Sequence, residues 1–149
     1  MLFHIICAII ILLTERIILL NAMKLKILPY ELSVCKLNPN NNLDVDFIYT
    51  LDFYFLAKTD DEISIVCKTA DVPSDAVVRD DGWCGFYFDE TLDFSLIGIL
   101  SKISAVLAEN NIGIFVVSTY NTDYILVKSE NYDSAVSVLK SNGYTFLSD

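Results

Sequence analysis

Histidine occurs once in the 149 residues, as His4, so no Cys-His or Ser-His pair can form in the body of the chain. Glycine is sparse as well, with five residues and no G-x-G-x-x-G or phosphate-loop spacing, which removes the usual phosphate cradles. The four cysteines, Cys7, Cys35, Cys67 and Cys84, lie too far apart for a C-x-x-C metal clamp. Each sits in an apolar run, and they read as reduced thiols of a cytosolic core. Basic residues are few: Lys+Arg number 10 against 20 Asp+Glu, a net charge of -10, and no basic stripe relieves it. Binding to nucleic acid is therefore excluded. Carboxylates are plentiful, but Asp60-Asp61-Glu62, Asp80-Asp81 and Asp89-Glu90 fall in turns, where solvated loops are the simpler reading than a paired acid and base. Catalysis is disfavoured, and neither metal nor cofactor is implied.

What the chain has in quantity is apolar surface, 54% of its residues, enough for the core of one ordinary domain or of two very small ones. Much of it lies in residues 1–22, where a 13-residue apolar start is broken by Thr14-Glu15-Arg16 and followed by Ile17 to Leu20. The charged pair is costly in a membrane span, and a secretory signal would want a basic beginning and a small-residue cleavage site. The segment reads first as a mispredicted start or dispensable extension ahead of Met23, with a membrane anchor and a signal peptide as alternatives. Without it the chain loses its only His, one Glu and one Arg, and the charge stays at -10.

From Met23 the pattern is of short strands and two clear helices. Leu25 to Leu37 alternates loosely, and Pro29 suits a strand's start or edge. Phe53 to Ala57 and Ile63 to Cys67 read as a hairpin, Val77-Val78 as a brief strand, and Asp80-Asp81-Gly82 as a turn into the aromatic strand Trp83 to Phe88. Leu96, Ile99, Leu100, Ile103, Val106 and Leu107 make one helical stripe, with Asp93 or Ser95 as its cap and Asn110-Asn111 as its end. Ile112 to Ser118 and Tyr124 to Val127 form a second hairpin. A second helix then carries Ala135, Val136 and Leu139 inward, between Asn131 as cap and Gly143 as left-handed terminator, and Tyr144 to Leu147 closes with a strand. From Trp83 the order is β-α-β-β-α-β, an α+β, ferredoxin-like arrangement. Residues 24–79 repeat it in miniature, with at most one helical turn near Val45 to Thr50 and a short turn near Asp71 to Ala76. The expected division is an extension at 1–22, a reduced unit at 23–82 and a full unit at 83–149, the first packed on the second.

The best candidate for a binding site is the passage from the aromatic strand into the Leu96 helix. A helix start offers unpaired N–H groups suited to a carboxylate, and Asp93 or Asp123 could hold an ammonium, so the pair suits a zwitterion. Gly98 inside that helix costs roughly 1 kcal/mol against alanine, which hints at a close approach by a ligand or another backbone. The simpler alternative is that Asp93 or Ser95 caps the helix and Gly98 lets it pack tightly on the sheet.

The stretch Leu92-Asp93-Phe94-Ser95-Leu96-Ile97-Gly98-Ile99-Leu100, followed by Ser118-Thr119-Tyr120-Asn121-Thr122-Asp123-Tyr124-Ile125-Leu126-Val127, resembles the ACT-domain family. More narrowly it is similar to compact duplicated-ACT proteins related to the CASTOR arginine sensors. Lys24 to Pro29 resembles their usual start, and Glu62 to Cys67 their first hairpin. The resemblance implies tandem ACT-like units, the first reduced, that bind a free amino acid at an interface between units. The implied pocket is Asp93, Phe94, Ser95 and Gly98 on one side and Ser118, Thr119, Tyr120, Thr122 and Asp123 on the other, with Ser64 and Ile65 from the first hairpin. It further implies a cytoplasmic regulatory protein that reports by changing partners, and a homodimer. A ligand-free interaction or subunit protein is the second reading. A membrane enters only if residues 1–22 are real.

Overall fold

The computed structural model describes residues 23–38, 44–89 and 98–147, and they form one mixed α+β fold around an eight-stranded sheet. Its spine is a long antiparallel ribbon. The strand β5 (Ala76–Phe88) is flanked along one side by β1 (Lys24–Ile27) and then β2 (Leu32–Leu37), with Leu25 opposite Phe88 and Leu37 opposite Ala76. Pro29, which cannot donate to a ladder, falls in the gap between β1 and β2, while the Leu28 N–H still donates to the Gly85 carbonyl at 2.9 Å. The expected turn at Asp80-Asp81-Gly82 is not there. β5 runs through it, and a register shift between Leu32/Trp83 and Val34/Asp80 absorbs the extra residue, with Gly82 at φ 76°. A glycine with positive φ is as serviceable in a β-bulge as in a turn, and the local sequence does not separate the two.

On the other side of β2 stand β4 (Ile63–Lys68) and then β3 (Tyr54–Lys58), the expected first hairpin. The second half of β5 is joined by β7 (Asp123–Lys128) and then β6 (Ile114–Ser118), the second hairpin. The last strand, β8 (Thr145–Leu147), lies parallel to β1, so β1 is interposed between β5 and β8. From β5 onward the order is β5, α2 (Ile99–Glu109), β6, β7, α3 (Tyr132–Ser141), β8, the ferredoxin-like β-α-β-β-α-β. The first half follows the same order with less helix: β2, α1 (Val45–Thr50), β3, β4, a 3-10 turn at Thr69–Asp71, and β5. α1 is nearly two turns rather than one, started by the Asp44 carboxylate accepting from the Phe47 N–H.

Three cores result. Ile103, Leu107, Ala135 and Leu139 of α2 and α3 pack on Leu25, Phe86, Ile125 and Val127. Ile48 of α1 covers Cys35, Leu37, Ile63, Ile65 and Cys67. Between them the helix-free faces of the two half-sheets meet, burying Leu28, Leu32, Val66 and Leu126 among aromatic rings. Phe53, Phe55, Tyr87 and Tyr124 touch ring to ring there, with centroids 5.1–5.7 Å apart. The layers are therefore helix, sheet, sheet, helix.

Two details of the helices differ from expectation. α2 begins at Ile99, with Gly98 as its N-cap at φ 84°, so Gly98 is not interior; the expected caps Asp93 and Ser95 lie outside the described residues. The apolar stripe extends one turn too far because periodicity does not register a left-handed glycine. In α3 the Asn131 side chain makes no cap bond, and Val138 packs on the core beside Ala135 and Leu139. Gly143 does terminate α3 at φ 89°, with the Tyr144 N–H returning to the Leu139 carbonyl at 3.1 Å.

Candidate functional site

Most of the expected pocket residues that the structure describes lie at the tip of the β6–β7 hairpin. Thr119 closes it, its N–H donating to the Thr122 carbonyl at 2.8 Å and its hydroxyl accepting from the Thr122 N–H at 3.2 Å. Below the tip the Ser118 hydroxyl donates to the Asp123 carboxylate at 2.5 Å. The Thr122 hydroxyl donates to the Phe88 carbonyl at 3.1 Å, so the tip is tied to the end of β5. Tyr120 is 80% exposed at the summit. Asp93, Phe94 and Ser95 lie outside the described residues. Gly98, where the described chain resumes, holds its positive φ with open space around an added Cβ among the described residues, so backbone conformation rather than a crowding neighbour accounts for glycine there.

The first hairpin carries the same turn. The Thr59 N–H donates to the Glu62 carbonyl at 2.9 Å and the Thr59 hydroxyl accepts from the Glu62 N–H at 3.1 Å. The internal correspondence is thus Thr59 with Thr119, and Lys68 with Lys128. On this register Ile65 corresponds to Ile125, and both are fully buried core residues. Ile65 packs under α1 and is not brought to the tip. Ser64 faces the opposite way, donating to the Glu62 carboxylate at 2.8 Å, and it lines a groove of about 500 Å³ that Ser118 also lines. That groove runs between edge strands β3 and β6, over Phe55, Val66, Phe115 and Val117. Ser64 and Ser118 are therefore brought together from the two units. The groove's aromatic wall was missed in the sequence, because alternating apolar residues in two hairpins do not reveal that the hairpins face each other.

Two further features sit where the units join. Ser33 is a fully buried polar residue whose hydroxyl donates to the Asp81 carboxylate at 2.6 Å and lies 2.9 Å from the Thr69 hydroxyl. The Arg79 guanidinium, at 2.7 and 2.9 Å, and then Ser33 hold the Asp81 carboxyl below its ordinary range. Lys128 bonds the Asp80 carboxylate at 2.5 Å and the Asp81 carbonyl at 2.7 Å, and stands 4.4 Å over the Trp83 ring. Burial pushes the Tyr30 and Tyr124 hydroxyls up, so both stay neutral in the aromatic layer. Among the described residues no cluster of His, Cys, Asp and Glu could hold a metal ion, and no helix is long and apolar enough to cross a membrane.

A reduced and a complete ferredoxin-like unit, packed sheet to sheet with a groove between their hairpins, define a tandem small-domain protein of the kind built around unit interfaces. An ACT-domain family model matches residues 78–141, and a model of an N-terminal domain matches residues 31–75. A structure from Agobacterium tumefaciens is 34% identical, with a TM-score of 0.74, over 84% of this chain and 92% of that one. The first of these matches places residues 78–141 in the ACT-domain family. A Vibrio cholerae protein of unknown function shares the fold at 16% identity and TM-score 0.65, over 83% of this chain and 92% of that one. The regulatory subunit of aspartate kinase from Thermus thermophilus, in its ligand-free form, does so at 5% identity and TM-score 0.53, over 75% and 91%. A search of curated proteins finds no match.

Proposed function

We propose that this chain is a non-catalytic regulatory protein of the cytoplasm that senses a free amino acid where ACT units meet, and that it acts as a homodimer. The observation that carries the reading is the bond from the Thr122 hydroxyl to the Phe88 carbonyl. It holds a polar hairpin tip, with Ser118 and Asp123 coupled, beside the strand end from which the chain passes to Gly98 and the start of α2. In this reading the first N–H groups of that eleven-residue helix take a carboxylate, and Asp123 takes an ammonium. Asp93, Phe94 and Ser95 belong to the same proposed pocket, with Thr119, Tyr120 and Ser64 at its rim. The absence of catalysis rests on the sequence, whose sole histidine is His4. The narrower kinship with the CASTOR arginine sensors rests on the resemblance of the two long motifs. The regulatory-subunit neighbour lends analogy to the role and nothing about the ligand.

A thermal-shift screen of the twenty amino acids tests the reading. At least one should raise the melting temperature, since a ligand at 100 times its Kd stabilises the fold by about 2.7 kcal/mol. Asp123→Asn should abolish that shift without lowering the melting temperature of the free protein by more than a few degrees. No shift with any amino acid, together with a stable complex with an enzyme, would favour the ligand-free subunit reading instead. Light scattering with and without the ligand checks the dimer.

A further inference from the structure

The two units differ most at one place. In the second, Lys128 leads through the 3-10 turn Ser129–Asn131 into α3, whose Ala135 and Leu139 are fully buried. In the first, the matching Lys68 leads through the turn Thr69–Asp71, and Val72 to Asp75 then pass directly into β5, with the Ala76 N–H donating to the Pro73 carbonyl at 3.2 Å. The first unit has no counterpart of α3. Where it would lie, between α1 and residues 70–75, there is a cleft of about 960 Å³.

The lining has a definite character. Phe47, Leu51, Val72 and Pro73 supply apolar surface, and Phe47 is 38% exposed. Asp44, Asp52, Asp71 and Asp75 stand around it, with the Lys68 ammonium bridging to Asp52 at 3.2 Å. A small apolar floor inside a mostly polar, carboxylate-rich lining complements a helix with one apolar face and basic flanks. A second copy of this chain, with 10 Lys+Arg against 20 Asp+Glu, has few basic residues to set against these carboxylates.

We propose that this cleft receives a basic amphipathic helix of a partner protein, seated where the first unit lacks its second helix. The proposal is independent of the small-molecule reading. The probe is a fourteen-residue peptide with leucine at every third and fourth position and lysine elsewhere, titrated calorimetrically into the full chain. Comparators are a scrambled peptide and one with glutamate in place of lysine. The basic amphipathic peptide should bind, and Asp71→Asn with Asp75→Asn should weaken it at least tenfold. Asp60→Asn with Asp61→Asn removes the same charge from the β3–β4 turn and should weaken it less than twofold. A photo-crosslinking version of the peptide, used on the unaltered protein, should label residues 44–52 or 70–75. Equal losses from the two double variants, equal binding of the scrambled peptide, labelling confined to the β3–β6 groove, or no binding at all would each overturn the proposal.

Discussion

Cys67 lies fully buried beneath α1, and burial, then the neighbouring Cys35, pushes its thiol from an ordinary value near 9 up to about 12. Between those values the folded protein keeps a proton that the unfolded chain releases. The stability associated with the neutral thiol is thus complete below pH 9 and is lost as pH rises toward 12. Denaturant midpoints measured from pH 8 to 11.5 should fall less steeply for Cys67→Val than for the unaltered protein, and parallel slopes would refute the assignment. That Cys35 and Cys67 are core residues was legible from their apolar surroundings, and both are buried and free; Cys84 is only half-buried, and Cys7 lies outside the described residues. Ser33 was not legible. Nothing in Leu32-Ser33-Val34 says that a buried hydroxyl will meet Asp81, because that partner arrives from a strand 48 residues away.

Single elements were read well where their signals are local. Both hairpins, the end of α2 and the glycine stop of α3 follow from turn residues and spacing, and they stand in the structure within a residue or two. The start of α2 escaped because Gly98 interrupts an apolar pattern that continues on either side of it. Its φ of 84° gives a direct test. Gly98→Ala should cost about 1–2 kcal/mol in a denaturation experiment through left-handed strain alone, since an added Cβ meets no described atom within 4 Å. Gly98→Asn should recover part of that loss, asparagine being the residue that best tolerates the conformation after glycine. If alanine is neutral, the helix does not begin in this way.

At the scale of the whole molecule, sequence periodicity told which side of each strand is apolar but not what that side meets. Tandem units were legible; the aromatic layer between them and the placement of β1 inside the second unit's sheet were not, since both depend on contacts between distant segments. These contacts predict a single cooperative unfolding transition. They also predict that residues 83–149 alone will not fold: such a fragment lacks β1 between β5 and β8, and it uncovers the face that carries Leu126 and Tyr124. A fragment with native-like circular dichroism and a sharp melting transition would contradict this. The pairing of Leu25 with Phe146 has one more effect, on the timetable of assembly. During synthesis β1 leaves the ribosome before every other described strand and must wait for β8 to emerge before its outer partner exists. The nascent protein therefore carries an unzipped seam from the time Leu25 emerges until translation reaches Phe146.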